Sequence, residues 1–129
     1  MERIDLSSDR RDQMIDVTER VAAAVATLGV RDGAVLVHVP HTTAGVVVNE
    51  GYDPDVARDV LEVLGRFVPR EGGYAHAEGN SDSHVKAIVV GSSQLVPVSG
   101  GTLALGRWQR VFFCEFDGPR RRSLIVGRT

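Results

Sequence analysis

Cysteine is nearly absent from this chain of 129 residues, which contains Cys114 alone. A single cysteine excludes an intramolecular disulfide, because that bond joins two cysteines. Cys114 lies in the apolar run VFFCEF, and this setting predicts a buried thiol rather than a nucleophile. Long hydrophobic runs are also absent, since no stretch approaches the roughly 20 apolar residues that span a bilayer. The charged start MERIDLSSDRRD lacks the apolar core of a signal peptide, which predicts a cytoplasmic protein.

An excess of charge of either sign is lacking as well, because the formal net charge is −2. Such a balance gives no long-range field to attract nucleic acid or anionic membranes, so neither is an expected partner. The positive charge is almost entirely arginine, and Lys86 is the only lysine. Arginine presents a planar fork that suits phosphate and carboxylate groups. The apolar fraction of 43% and the charged fraction of 25% are typical of one globular domain, which we place at residues 1–129.

Several local motifs of well-known enzymes are missing. The chain has no HExxH, no paired CxxC, no GxGxxG and no P-loop glycine pattern. These absences exclude the local zinc and nucleotide fingerprints that such patterns mark. A metal or catalytic site would therefore have to be assembled from residues that lie far apart in the sequence.

The hydrophobic pattern predicts two or three helices. Apolar residues recur at helical spacing over residues 17–28, where Asp16 and Glu19 are placed as a capping pair and Gly29 ends the helix. A second helix is expected to follow the N-cap Asp53 and to end before Pro69. Residues 85–90 favour a short third helix, and residues 70–83 have no period and predict a long loop.

The remaining apolar segments predict strands. These segments are residues 3–6 at a sheet edge, 34–39, 45–49, 95–98, 102–105, 108–116 and 123–126. The pair Gly100-Gly101 indicates a hairpin turn between two of them. Several helices together with many hairpin-connected strands predict an α+β fold with a mixed or antiparallel sheet.

The segment His38 to Glu50, HVPHTTAGVVVNE, concentrates polar side chains between predicted strands. Polar groups crowded at such a place need partners or a function, because burying them unpaired is costly. His38 lies inside a β-branched run, which predicts sheet packing, whereas His41 and the Asn49-Glu50 pair lie at strand ends. Imidazole and carboxylate side chains at such places are candidates for proton transfer.

Other candidate groups lie in the predicted loop and in the C-terminal half. His76 and His84 could join His41 as zinc ligands, while Glu50 offers the oxygen that magnesium prefers. Three unrelated surface histidines are the alternative reading. The run Arg120-Arg121-Arg122 could hold a phosphate in bidentate fashion, or simply form a solvated turn. Trp108, the only tryptophan, is expected to anchor the core.

Taken together, the motifs HTTAGVVVNE, DPDV, YAH, NSDSHVKA with GSS, GRWQ and EFDGPRRR resemble the YjbQ-like family. The resemblance covers the chain from about residue 15 to its end. It implies a mixed, largely antiparallel β-sandwich with two or three helices, assembled as a homotrimer. It also implies one cleft that gathers the matching motif positions His41, Asn49, Glu50, His76, His84 and Gln109. Arg107 stands where the family usually has threonine, which removes any hydroxyl contact at that position.

Members of this family are catalogued as uncharacterised or as secondary thiamine-phosphate synthases. The reaction that the resemblance implies joins a pyrimidine diphosphate to a thiazole phosphate and releases pyrophosphate. We therefore expect a small phosphorylated substrate, with Arg120 and Arg121 contacting phosphate and with His41, Asn49, Glu50, His84 and Gln109 as catalytic candidates. Two alternatives stay open. One is a metal-dependent hydrolase or other enzyme of unknown substrate, and the other is a non-catalytic trimeric module that binds a metal or small ligand.

Overall fold

Two antiparallel sheets and three helices make up the computed structural model, which describes residues 1–129. The first sheet has five strands in the order β1 (Glu2–Ser7), β8 (Arg121–Arg128), β3 (Gly33–His38), β5 (Ser93–Ser99) and β6 (Thr102–Leu103). The second sheet has three strands in the order β2 (Gln13–Asp16), β7 (Gln109–Glu115) and β4 (Ala44–Glu50). The helices are α1 (Thr18–Leu28), α2 (Pro54–Phe67) and α3 (Ser81–Val90). The predicted α+β class is confirmed, and every strand pairing is antiparallel.

The main hydrophobic core joins α1 to the inner faces of both sheets. Its members include Val37 and Val126 from the first sheet, Val46 and Phe113 from the second, and Val21 from α1. These side chains point inward because residues two apart along a strand share one face. Burial of their apolar surface is the main favourable contribution to folding.

A smaller core lies on the opposite face of the second sheet. Phe112 and Cys114 on β7 pack there with Ala87 of α3, and Leu61 of α2 packs against the same cluster. Strand β7 is therefore covered on both faces, which explains its unbroken apolar run in place of the usual alternation. The prediction that Cys114 is buried is confirmed, and this burial raises the pKa of its thiol to about 12.

Most predicted helix ends are confirmed, with one correction. Gly29 ends α1 in the left-handed conformation, and the Asp53 carboxylate accepts the Asp55 N–H at 2.9 Å at the start of α2. Asp16 accepts the N–H and hydroxyl of Thr18, as expected near the start of α1. Glu19 is not its capping partner, because its carboxylate accepts a hydrogen bond from Arg110 instead.

Two elements differ from the predictions. Strand β2 was missed, because its four residues are half-buried or exposed and show no alternation. Helix α3 begins at Ser81 instead of residue 85, so His84 lies on a helix and the preceding loop ends at Asn80. No helix in the structure has the length and apolarity needed to cross a bilayer.

Candidate functional site

A cleft of about 450 Å³ lies where three connecting segments meet. We call it the polar cleft, because every lining residue except Pro40 is polar or charged. Its lining comprises Pro40, His41, Thr42, Thr43, Glu78, Asn80, His84, Asp117, Arg120 and Arg122. The β3–β4 connection, the start of α3 with the loop before it, the β7–β8 turn and the start of β8 supply these residues. Three predicted site residues, His41, His84 and Arg120, therefore share one cleft.

His41 is fixed in one orientation by the backbone of β8. Its Nε2 accepts the Ser123 N–H at 3.0 Å, and its ring packs edge-on against Phe113. Because the Nε2 lone pair is used, the neutral ring carries its proton on Nδ1. Burial, followed by the positive charge of Arg122, lowers the pKa of His41. His41 is thus a neutral hydrogen-bond donor at neutral pH, and not a free base.

A buried ion pair supports the cleft from behind. Glu115 is fully buried, and its carboxylate accepts hydrogen bonds from the Arg122 guanidinium and from the Ser8 hydroxyl at 2.6 Å. The Arg122 guanidinium also donates to the Thr43 hydroxyl at 2.8 Å. Burial alone would raise the pKa of Glu115, but these hydrogen bonds outweigh it and lower the pKa. The pair holds Arg122 in a fixed position at the cleft wall.

The Glu115–Arg122 ion pair was not predicted from the sequence, although the position of Glu115 indicated a buried partner. Glu115 interrupts the apolar run VFFCEF, at a position where an uncompensated charge would be strongly destabilising. A carboxylate in such a run predicts a buried cationic partner. Nothing local in the sequence identifies that partner as Arg122, which lies beyond the turn that joins β7 to β8.

Arg120 is also held by the turn that carries it. Its Nε donates to the Asp117 carbonyl at 2.8 Å and its Nη2 to the Asp117 carboxylate at 3.1 Å. The Asn80 amide donates to the same carboxylate at 2.9 Å, while its buried Oδ1 has no hydrogen-bond partner. The Nη1 groups of Arg120 and Arg122 have no protein acceptor. Two oriented guanidinium groups are thus available to a ligand.

A second buried ion cluster positions α3, and sequence reasoning missed it too. The fully buried Asp82 accepts two hydrogen bonds from Arg11, at 2.9 and 3.0 Å, and lies 3.4 Å from the Lys86 ammonium. Lys86 also pairs with Asp12 at 2.8 Å. The hydrogen bond from Arg11 is the largest cause that lowers the pKa of Asp82. These contacts tie the first turn of α3, and therefore His84, to the segment before β2.

The predicted histidine set is only partly assembled within one chain. His76 and His84 are neighbours, with perpendicular rings whose centroids are 5.5 Å apart. Nε2 of His76 lies 3.9 Å from the Glu78 carboxylate. No three His, Cys, Asp or Glu side chains are arranged to hold a metal, and Nε2 of His41 is engaged by Ser123. The ligand set His41, His76 and His84 therefore does not fit a metal within one chain as its residues now stand.

Asn49, Glu50 and Gln109 lie elsewhere in the chain, so a single chain does not bring all six predicted residues into one cleft. Glu50 pairs with Gln109 at one end of the β4–β7 ladder, whereas Ala44 pairs with Glu115 at the polar-cleft end. Six residues at about 3.4 Å each separate the two ends by roughly 20 Å. Glu50 accepts the Tyr52 N–H at 2.7 Å and lines a different cleft, of about 420 Å³.

Trp108 is likewise not the core anchor that was expected. Its ring is 51% exposed at the Glu50 end of the molecule, edge-on to Tyr52 at 5.5 Å. Arg107 stacks over the same ring at 4.7 Å. Gln109 uses its Oε1 to accept the Gly106 N–H at 2.8 Å. His38, in contrast, lies on the sheet as predicted, with Nδ1 2.6 Å from the Ser93 hydroxyl.

Comparison with known proteins agrees on one family. The family model described as UPF0047 protein YjbQ-like matches residues 2–128. The UPF0047 protein YugU of Bacillus subtilis is 43% identical over 127 residues, covering 98% of this chain and 96% of that protein. The UPF0047 protein MJ1081 of Methanocaldococcus jannaschii is 41% identical over 121 residues, covering 94% of this chain and 88% of that protein.

Two solved structures match the fold over nearly the whole chain. An uncharacterised conserved protein of the YjbQ/UPF0047 family from Clostridium acetobutylicum has a TM-score of 0.96 and 48% identity, covering 98% of both chains. A protein of unknown function from Sulfolobus solfataricus has a TM-score of 0.93 and 31% identity, covering 97% of this chain and 92% of that one. The descriptions of these relatives give no activity.

Proposed function

Because the chain belongs to the YjbQ-like UPF0047 family, and the names of the relatives above state no activity, we propose a function from the polar cleft itself. The cleft binds a small phosphorylated molecule and is the reaction site of a transferase. The transferase is of the thiamine-phosphate synthase type that the sequence resemblance implies. One observation carries the proposal: two arginines, Arg120 and Arg122, are each oriented by a carboxylate in a cleft almost without apolar side chains, and each keeps Nη1 free.

The arginines suit the chemistry of a leaving diphosphate. When the bond to the diphosphate breaks, negative charge accumulates on its oxygens, and positioned donors stabilise that charge more than mobile ones do. Asp117 orients Arg120, and the buried Glu115 orients Arg122. Neither guanidinium has to reorganise when the charge develops. Arginine is also the side chain best matched to phosphate oxygens.

The two cleft histidines have different roles in this proposal. His41 is neutral and has its Nε2 engaged by Ser123, so it donates Nδ1–H to a phosphate oxygen. His84 is half-buried on α3, and no protein group accepts or donates a hydrogen bond at its ring. Imidazole is a common general acid or base in enzymes, and this ring is left available to a bound substrate. We therefore assign to His84 the transfer of a proton to the diphosphate oxygen that leaves when its bond to the pyrimidine-bearing carbon breaks, and we assign hydrogen-bond donation to His41.

The proposal also includes assembly as a homotrimer, which brings the second group of predicted residues to the cleft. Asn49, Glu50 and Gln109 lie about 20 Å from the polar cleft within one chain. A neighbouring copy could bring this end to the polar cleft. In that assembly, a mixture of His84→Ala and Glu50→Gln subunits recovers part of the activity that each variant lacks alone.

Turnover with defined substrates tests the proposal. Purified protein is supplied with the pyrimidine diphosphate and the thiazole phosphate, and pyrophosphate release and thiamine phosphate are measured. We expect both products, with loss of both in His84→Ala. The matched control is His38→Ala, since His38 lies on β3 and contacts Ser93 outside the cleft. Equal turnover in His84→Ala and the unmodified protein would contradict the assigned role.

A metal-dependent enzyme of another substrate class is the second candidate, and the neighbouring rings of His76 and His84 favour it. Metal analysis of the purified protein, with His76→Ala as a comparison, tests this candidate. Bound zinc or magnesium that disappears in His76→Ala would support it. His76→Ala and His84→Ala could instead both keep the metal content and turnover of the unmodified protein and lower only its thermal stability. In that case the histidines act in a non-catalytic module.

A further inference from the structure

A second cleft, of about 400 Å³, lies on the other side of His41 and Arg122. We call it the outer cleft, and its lining comprises Arg3, Asp5, Leu6, Ser7, His41, Arg121, Arg122 and Ser123. We propose that the outer cleft binds the phosphate group of a phosphate monoester. This inference rests on the proposed function, in which two phosphorylated substrates have to meet. The outer cleft then holds the monophosphate substrate while the polar cleft holds the diphosphate.

The register of β1 against β8 builds this cleft. Ser7 pairs with Arg121, and Asp5 pairs with Ser123. Directly paired residues of antiparallel strands point to the same face. Arg121 and Ser7 therefore point to one side of the sheet, and Arg120 lies on the polar-cleft side of the same turn. The three consecutive arginines thus serve two clefts, which their spacing in the sequence does not reveal.

The charge of the outer cleft favours an anion more strongly than that of the polar cleft. Arg3 and Arg121 lie on the same face as a single carboxylate, Asp5, whereas the charge of Arg122 is already balanced by Glu115. In the polar cleft, two arginines face two carboxylates. Asp5 accepts a hydrogen bond only from Nε of Arg3, at 2.9 Å, so the terminal nitrogens of Arg3 are free.

Arg121 is the group most available to a ligand. It is exposed, and its guanidinium makes no ion pair, whereas Arg120 and Arg122 are both paired with carboxylates. The Ser7 hydroxyl lies beside it in the strand pairing and supplies a further donor. A dianionic phosphate can accept from all of these donors at once, which matches the geometry in which arginine binds phosphate.

The position of His41 and Arg122 explains why two clefts would be useful. Both residues line both clefts, so a ligand in each cleft would lie next to the other across these two side chains. Holding two reactants side by side accelerates a transfer reaction, because the entropy of bringing them together is already lost on binding. Arg122 cannot swing between the clefts, since Glu115 and Thr43 hold its guanidinium. The phosphate of one substrate and the diphosphate of the other therefore bind in separate clefts, while the substrates that carry them are held close together.

Titration of the isotope-labelled protein with inorganic phosphate, followed by amide chemical shifts, tests the inference. Sodium chloride keeps the ionic strength constant, so that general screening does not vary. We expect saturable shifts at Ser7, Arg121 and Ser123, and about a tenfold weaker phosphate affinity in Arg121→Gln, as for one lost charge-assisted contact. Arg70→Gln is the matched control, because Arg70 is exposed, makes no ion pair and lines neither cleft. It should leave the affinity unchanged.

Two results would overturn the inference: no saturable shift at Ser7, Arg121 and Ser123, or the same affinity in Arg121→Gln as in the unmodified protein. Arg121 is exposed, so we expect Arg121→Gln to fold. Amide shifts that are unchanged away from the substituted residue would show that the variant is folded. The experiment needs no turnover, so it separates the two proposals. Phosphate binding without any transfer reaction would support the outer cleft as a phosphate site and reject the transferase. Transfer without phosphate binding at these residues would support the transferase and reject the outer cleft as a phosphate site.

Discussion

Replacing Arg122 with methionine should destabilise the protein strongly and in a pH-dependent way. Glu115 is fully buried, and Arg122 supplies both of the closest cationic contacts to its carboxylate. Removing one partner of a buried ion pair costs about 3–5 kcal/mol, because the other charge stays buried and unpaired. For a domain of this size, 1 kcal/mol shifts the melting temperature by roughly 4 °C. We therefore expect a drop in Tm of roughly 10–20 °C.

The pH dependence follows from the pKa of Glu115. In the unmodified protein this pKa is lowered from 4.5, so the stabilisation is complete above the unfolded value and is lost as pH falls through the folded value. In Arg122→Met, burial is left without its main compensation and raises the pKa instead. The folded variant then favours the protonated carboxyl. The difference in unfolding free energy between the two proteins should therefore be largest near neutral pH and shrink as the pH falls towards 4.

Urea unfolding at fixed protein concentration, from pH 7 down to pH 4, measures both effects. Arg121→Met is the matched control, since the neighbouring Arg121 is exposed and unpaired, and it should change stability by less than about 0.5 kcal/mol. A loss below about 1 kcal/mol in Arg122→Met would refute the assigned role of the pair, which is expected to cost several times more. A difference that stays constant over the pH range would refute the pKa argument.

Three further changes test other parts of the structure. In Gly45→Ala the added methyl lies 2.6 Å from the Gly91 carbonyl oxygen, so urea unfolding should report a loss of about 1–3 kcal/mol, and an unchanged midpoint would contradict this packing. In Asp53→Ala the cap on α2 disappears, with an expected loss of about 1 kcal/mol at an unchanged m-value. Cys114, with its pKa raised to about 12, should react with a disulfide reagent at pH 8 only as fast as the protein opens, and rapid labelling of the native protein would show that it is accessible.

Local signals in the sequence were enough for most of the fold. The Asp53-Pro54 start of α2, the glycine stop of α1 and the apolar run of β7 each depend on neighbouring residues, and each was predicted. Strand β2 and the first turn of α3 depend on distant partners. The start of α3 is fixed by the contact of Asp82 with Arg11, which lies 71 residues away, and no local pattern contains it.

The site was predictable only in part, for the same reason. His41 and Arg120 lie in connections and His84 lies in the first turn of α3, and all three converge on the polar cleft, as polar residues at strand ends often do. The separation of Glu50 from this cleft depends on the β4–β7 register, which sets Glu50 at the far end of the ladder. The role of Glu115 depends on its contact with Arg122, and a buried partner cannot be chosen from spacing alone.

A crystal structure of the protein grown with pyrophosphate tests the central claim most directly. The account predicts pyrophosphate in the polar cleft, within hydrogen-bonding distance of the free Nη1 groups of Arg120 and Arg122 and beside His84. The positions of Glu115 and Asp117 should be unchanged, because both arginines are already oriented. Pyrophosphate bound only at other surfaces, with the polar cleft filled by water at saturating concentration, would contradict the claim.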